Sequence, residues 1–317
     1  MERPGTFRFM RIIFSVIVCS LVARGVGADT AIIAYRTPQF IVIGADSKMT
    51  GSKTGETRRF RCKIGQAKNI VWASSGLTKT IGKVPVNFDV NQVAFDAVNS
   101  TSDFDDLIAR FDSRIMSDLV PLLTFVAVST PTYFTDRVLN NPAVEIIFAG
   151  VDHGQIRASV RYFVVEGNSN ASTFSDASKF VLTPQHVDCP SKNCASSEEG
   201  SFRLGAQDAI DAELTREPEI WQKLGVVPAI KKLIGLQIVH SPNLVGGPLT
   251  IMKISRSGID WIEKGACQNP QPNYETSSQP PAQKPWGLAQ KSGQNERLFR
   301  QSRGRAFCGI VSPSWPG

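Results

Sequence analysis

Residues 29–76 read DTAIIAYRTPQFIVIGADSKMTGSKTGETRRFRCKIGQAKNIVWASSG, and this stretch decides the fold. It opens with two apolar runs, at 31–34 and 40–45, with a short polar break at 37–39 between them. Two apolar runs joined in this way predict a β-hairpin. A long polar and basic loop follows, and a third apolar run at 70–73 leads into Ser-Ser-Gly. The second strand of the predicted hairpin therefore ends at Asp46, where the chain leaves the sheet.

Four residues of this stretch occur in an order that resembles the proteasome-type (beta-subunit-like) N-terminal nucleophile (Ntn) hydrolases. In that family a threonine opens the first strand and an aspartate ends the second. A lysine that precedes an apolar residue comes next, and a Gly-rich turn then leads into a helix. Thr30, Asp46, Lys63 and Gly76 occupy these places in this chain, and Thr30 and Asp46 are sixteen positions apart, as in the family. The resemblance implies an exported, divergent relative, in which Lys63 comes one residue later than usual.

Apolar patterns along the rest of the chain agree with the architecture of that family. Residues 166–201 are polar and predict an embellished loop with one strand at 180–182, and the run at 125–128 fits either a strand or a helix end. The resulting order is hairpin, helices, hairpin, helices, hairpin, which predicts an α+β fold, a four-layer αββα sandwich of two antiparallel sheets between helical layers. The further elements are helices near 90–97, 103–119, 208–214 and 218–238, the last broken near Gly225 or Pro228, and hairpins at 144–165 and 249–262.

The two ends of the chain differ from its middle. Residues 1–28 combine three early arginines, an apolar run at 12–23 and small residues before position 29, which predicts a signal peptide. The alternative is an uncleaved leader that anchors the chain in a membrane. Residues 29–266 form the predicted hydrolase domain, and 267–317 are rich in Asn, Gln, Pro, Ser and Arg without apolar periodicity, which predicts a disordered basic tail. We therefore expect a secreted or periplasmic protein.

The net charge of +7 belongs to these two ends. The first 28 residues carry a net charge of +3 and the last 50 carry +4, so residues 29–267 contain 25 basic and 25 acidic side chains. A balanced domain gives no charge-based reason to expect nucleic acid as a partner. The expected partner is a peptide or small amide substrate, and the sequence leaves open whether the chain forms a homo-oligomer.

Cysteines and histidines indicate a disulfide and no metal or other cofactor. Cys189 and Cys194 enclose a short polar loop and are the best candidates for a disulfide if the chain is exported; the alternative is two free surface thiols. The three histidines, His153, His186 and His240, are scattered, so no zinc site is predicted.

The resemblance also implies a mechanism. The Thr30 hydroxyl would attack a carbonyl and its own α-amino group, with a pKa of about 7.7–8.0 when unperturbed, would accept the proton. Lys63 would favour the neutral amine, Asp46 would hold Lys63, and a backbone N–H at Gly76 would stabilise the oxyanion. Taken singly, each residue has an ordinary interpretation: Thr30 as a strand residue, Asp46 as a turn former and Lys63 as a solvated loop charge.

Three departures from the family keep a second function open. Asp29 stands where the family has glycine, and signal cleavage after residue 28 would leave Asp29 in front of Thr30. Ala206 stands where the family has a serine between glycines, and Pro242 and Val245 stand at the spacings of its late aspartate and serine. The alternatives are a catalytically dead Ntn-fold protein that serves as a binding or assembly module, and a membrane-tethered protein whose tail binds an acidic partner.

Overall fold

The computed structural model describes residues 30–48, 60–80, 86–167, 180–192 and 194–267. The predicted signal peptide lies outside these residues, and so does the predicted tail after Cys267. The described part contains ten β-strands, six α-helices and one π-helical turn, which makes it a mixed α+β protein.

The strands are β1 Ala31–Arg36, β2 Phe40–Ala45, β3 Ile64–Ala67, β4 Ile70–Gly76, β5 Pro142–Asp152, β6 Gln155–Gly167, β7 Phe180–Cys189, β8 Gly200–Gly205, β9 Thr250–Ser255 and β10 Gly258–Glu263. They form two antiparallel sheets of five strands each, in the orders β10-β9-β2-β1-β8 and β3-β4-β5-β6-β7. The first and last predicted hairpins share the first sheet, and the middle hairpin lies in the second.

The helices form two groups along the chain. Asp103 caps the longest helix, since its side chain accepts a hydrogen bond from Asp106 N, and that helix continues through Pro121. The helices are α1 Val90–Ser100, α2 Phe104–Ser129, α3 Pro131–Tyr133, α4 Asp208–Arg216, α5 Ile220–Leu224 and α6 Val226–His240, and the π-helical turn is Phe134–Val138. None of the described helices is by itself long and apolar enough to cross a membrane; α2 and the segment Pro131–Val138 pass that test only together, as a pair bent by 119°.

Three groups of buried apolar side chains hold these elements together. One joins α1 and α2 to the second sheet, around Trp72, Phe111 and Phe148. Another contains side chains from both sheets, among them Ile43 and Ile147, so the two sheets share an apolar core. The third joins α4, α5 and α6 to the first sheet. Burial of these faces is the main source of stability, because every sheet contributes an apolar surface to a neighbour.

The structure decides between two pairs of predicted alternatives, and one further prediction is wrong in part. The run at 125–128 is the end of α2, and the late helix breaks at Gly225, whose φ is +77°, rather than at Pro228. The predicted loop at 166–201 is wrong in part, because β7 extends over Phe180–Cys189 and β8 begins at Gly200. β7 contains many polar residues and lacks the apolar alternation by which strands are recognised, and β8 alternates only through Phe202 and Leu204, which is too short a pattern to predict a strand.

Two disulfides are formed among the described residues. Cys189 pairs with Cys194, as expected, and Cys62 pairs with Cys267, a pair that the sequence did not indicate. Cys267 is also buried, so the folded part includes this residue and reaches one position beyond the predicted boundary at 266. Disulfides persist in oxidising surroundings, and both pairs point to such an environment.

Candidate active site

Thr30 lies at the entrance to β1 and is buried, with 6% of its surface exposed. Its carbonyl oxygen accepts a hydrogen bond from Ala206 N at 2.7 Å. Gly205 lies so close to the same carbonyl that a Cβ at this position would be 2.0 Å from the oxygen, and its φ of +79° also requires glycine. The turn that follows β8 therefore holds the main chain of Thr30.

The Asp46 carboxylate joins four segments of the chain. Its Oδ1 accepts hydrogen bonds from Ala31 N and from Lys63 Nζ, both at 2.9 Å. Its Oδ2 accepts from Gly246 N at 2.9 Å and from Lys48 N at 3.1 Å. A turn former needs only the bond to Lys48. The other three bonds connect Asp46 to the start of β1, to the segment before β3 and to the turn before β9.

Lys63 and Asp46 form the expected ion pair. The Lys63 side chain is 10% exposed and the Asp46 side chain is fully buried, so Lys63 is not a solvated loop charge. The hairpin explains the position of Asp46. Ile32 is opposite Ala45 in the β1–β2 register, so Ala31, which precedes Ile32, and Asp46, which follows Ala45, meet at the same end of the hairpin. The disulfide to Cys267 begins at Cys62 and attaches the segment that carries Lys63 to the chain beyond β10. The structure thus brings the Asp46 carboxylate and the Lys63 ammonium together, next to the main chain that follows Thr30.

Gly76 ends β4 with a φ of +88°, and a Cβ here would lie 2.4 Å from the carbonyl oxygen of Ala143. Leu77 N donates to that same oxygen, and successive N–H groups of a strand point to opposite sides. The Gly76 N–H therefore points away from β5. On that side β4 pairs with β3, but β3 covers only residues 70–73 and does not reach Gly76. The role of Gly76 as an oxyanion donor stays a prediction.

Sequence reasoning missed Glu145 and Ser75, which also lie at this end of the sheets. Glu145 Oε2 accepts hydrogen bonds from Ser75 Oγ and from Gly205 N, both at 2.5 Å. Burial raises the pKa of the Glu145 carboxyl, and the bonds from Ser75 and Gly205 oppose that rise. One signal was available, because Glu145 is flanked by apolar residues in the strand sequence PAVEIIFAGVD, whose other charge, Asp152, lies at the strand end.

The family's remaining site positions hold residues without suitable side chains. Val245 is buried among apolar residues, and Pro242 contributes its carbonyl oxygen, which accepts a hydrogen bond from Lys48 Nζ. Ala206 contributes its backbone N–H to Thr30. Within the described segments, no group of three or more His, Cys, Asp and Glu side chains could hold a metal ion.

Comparison with known proteins adds no family assignment. No protein-family model matches the chain, and no curated protein matches it.

The buried carboxyl of Glu145 predicts a dependence of stability on pH. Because its folded-state pKa is raised above the ordinary value of 4.5, the folded state holds this proton more tightly than the unfolded state does. The resulting stabilisation is complete below pH 4.5 and is lost as the pH rises through the folded-state pKa. We expect the stability of the wild type, measured relative to Glu145→Gln by urea unfolding, to fall as the pH is raised above 4.5.

Glu217→Gln is the matched control for this measurement. A hydrogen bond from Lys232 lowers the pKa of Glu217, so the sign is reversed: this contribution to stability is present at neutral pH and is lost on acidification. A wild-type stability that rises with pH relative to Glu145→Gln would contradict the assignment of Glu145 as a desolvated acid.

Proposed function

We propose that the chain is a proteasome-like threonine hydrolase that cleaves amide bonds in peptides or small amides, with Thr30 as the nucleophile. One observation carries the proposal: the Asp46 carboxylate binds both the Lys63 ammonium and the backbone N–H of Ala31, the residue after Thr30. A buried lysine and carboxylate are thereby attached to the first residue of a strand. Such an arrangement supports an N-terminal nucleophile better than any of the ordinary interpretations of these residues.

The mechanism requires Thr30 to be the first residue of the mature chain. Its Oγ would attack the substrate carbonyl and its α-amino group would accept the hydroxyl proton, then pass that proton to the departing amine. The positive charge of Lys63 would favour the neutral amine and stabilise the developing alkoxide. Gly76 N–H would donate to the oxyanion, and water would release the acyl group from Oγ in the second half of the reaction.

The layering of the apolar clusters supports the finer fold assignment. Side chains from both sheets share one cluster, and each sheet has a further cluster with its own group of helices. We infer a four-layer αββα sandwich of the Ntn type, in which Thr30 and Asp46 lie at the same end of the first sheet.

The cellular location is part of the proposal. Disulfides at Cys62–Cys267 and Cys189–Cys194 require an oxidising compartment, and residues 1–28 resemble a signal peptide. We infer export to the periplasm or to the cell exterior. The leader would be removed there, together with Asp29.

A binding or assembly module with the same fold is the second candidate. The observation that favours it is the loss of polar side chains at Ala206, Pro242 and Val245, together with Asp29 in front of Thr30. If Asp29 is retained, the amine of Thr30 is part of a peptide bond and cannot act as a base.

One experiment separates the two candidates. The full chain is exported from a bacterial host, and the mature protein is analysed by intact mass and then treated with a peptide α′,β′-epoxyketone. This probe is captured by both groups of an N-terminal threonine: Oγ adds to the ketone, and the α-amine opens the epoxide. We expect an adduct on Thr30 with the mass of the entire probe, and hydrolysis of fluorogenic peptide amides that the same probe blocks.

Thr30→Val is the control, because it keeps the shape of the side chain and removes the hydroxyl. This variant should give the same N-terminal processing by signal peptidase but no adduct. A mature chain that begins at Asp29 and does not react would refute the hydrolase and favour the binding module.

A further inference from the structure

Glu145 occupies an unusual position for a carboxylate. It lies in β5 between Val144 and Ile146, both fully buried, and only 8% of its own surface is exposed. It takes part in no ion pair within the described segments of the chain. Tyr162 on β6 is opposite Glu145 in the β5–β6 register, and its pKa is raised by burial and by the Glu145 charge. Burial of an acid without a basic partner costs free energy, so hydrogen bonds to Glu145 are needed to offset that cost.

Those hydrogen bonds cross from one sheet to the other. Ser75 is opposite Glu145 in the β4–β5 register and belongs to the same sheet, whereas Gly205 ends β8 in the other sheet. Both donate to the same oxygen of Glu145, Oε2, at 2.5 Å. The Glu145 side chain therefore joins the two sheets at the end where β4 and β8 stop.

This end of β8 is also where Thr30 is held. Gly205 is opposite Ala31 in the β1–β8 register, and its Cα packs against the Thr30 carbonyl. Ala206 N donates to that carbonyl at 2.7 Å. Glu145 acts on Gly205 N from the second sheet, while Asp46 acts on Ala31 N from within the first. Asp46 thus binds the main chain directly after Thr30, and Glu145 binds the turn residue that precedes Ala206, the donor to the Thr30 carbonyl.

We propose that Glu145, held by Ser75, is a positioning residue of the Thr30 site. It fixes the turn at Gly205 and Ala206, against which the nucleophile is oriented. The proposal rests on the function proposed above and adds a residue that the family resemblance does not supply. Ala206, Pro242 and Val245 offer no polar side chains to the region around Thr30. Glu145 orders this region instead, because its carboxylate, on β5, accepts a hydrogen bond from the backbone N–H of Gly205.

A kinetic experiment tests the positioning role. The probe is a β-lactone, whose ring is opened by Thr30 Oγ: the new ester bond forms at the lactone carbonyl, the ring C–O bond breaks, and the hydroxyl proton moves through the α-amine to the released alkoxide. We expect Glu145→Ala and Ser75→Ala to lower the maximal rate of acylation about tenfold, the effect of losing one buried hydrogen bond, with unchanged half-saturation by the probe. Glu145→Gln keeps an acceptor for Gly205 N and should recover most of this rate.

Ser159→Ala is the matched control. Ser159 is a buried serine of β6 whose Oγ donates to a carboxylate oxygen of Asp188 at 2.7 Å, as Ser75 does to Glu145, but this pair lies between β6 and β7, neither of which pairs with β4 or β8. Its loss should affect stability without lowering the acylation rate. Equal rates for Ser75→Ala and Ser159→Ala would overturn the proposal.

A second measurement does not depend on reactivity. Amide hydrogen exchange at Gly205 and Ala206, followed by NMR, should be about ten times faster in Glu145→Ala and Ser75→Ala than in the wild type, and unchanged in Ser159→Ala. If the wild type does not react with the β-lactone, the proposed hydrolase function is refuted. The exchange data alone then decide whether Glu145 orders the Thr30 main chain. Unchanged exchange in both variants would overturn the positioning role even if the wild type is an active hydrolase.

Discussion

Lys63→Met should lower the rate of Thr30 acylation by about 100- to 1000-fold, the effect of removing one preorganised electrostatic group from an active site. Methionine keeps the length of the side chain and removes the charge that is paired with Asp46 at 2.9 Å. The measurement is the reaction of the mature chain with the β-lactone, with intact mass as the readout.

The domain should remain folded in this variant. Asp46 keeps three backbone donors, from Ala31, Lys48 and Gly246, when the ammonium is lost. Removal of one partner from a buried ion pair still leaves an uncompensated charge, so we expect the free energy of unfolding to fall by about 3 kcal/mol.

Arg61→Met is the matched control for Lys63→Met. Arg61 lies two positions earlier in the same segment, with 32% of its side chain exposed, and pairs with Asp89 at 3.8 Å. Exposed pairs of this kind contribute little, so neither the acylation rate nor the stability should change by much. Full reactivity of Lys63→Met would show that the ion pair serves only the fold, and it would remove Lys63 from the mechanism.

Loss of the Cys62–Cys267 disulfide should have the largest effect on stability. The two cysteines are 205 positions apart, so the crosslink restricts the unfolded chain over most of the domain. We expect the double variant Cys62→Ser with Cys267→Ser to lose about 2–5 kcal/mol in the free energy of unfolding, measured by urea denaturation. Because Cys62 precedes Lys63, the acylation rate should also fall as this segment loosens.

The second disulfide provides the comparison. Cys189 and Cys194 are only five positions apart, and the chain-entropy model assigns such a short loop about 2 kcal/mol. Replacing both by serine should destabilise the domain less and leave the reaction of Thr30 unchanged. An equal loss of stability in the two double variants would contradict the dependence on loop length.

Local patterns explain which elements could be predicted. The hairpin at 31–45, the helix that begins after Asp103 and the strands at 144–165 each carry their own signal in apolar spacing and capping residues. β8, with the sequence GSFRLG, carries only a weak signal, the alternation at Phe202 and Leu204. It is a strand because the main chain of β1 offers it a complete set of hydrogen-bond partners, more than 160 positions earlier in the sequence.

The amino-acid sequence by itself determined the α+β class, the hairpin that brings Asp46 to the start of β1, and the identity of Thr30, Asp46 and Lys63 as candidates, because strand periodicity and short turns are local properties of the chain. The tertiary structure alone decided that Glu145 and Gly205 meet beside Thr30, and that Cys62 reaches Cys267. These contacts join residues 60 and 205 positions apart. They depend on how the two sheets pack against each other, and this packing forms only when the apolar faces of the whole folded chain are buried.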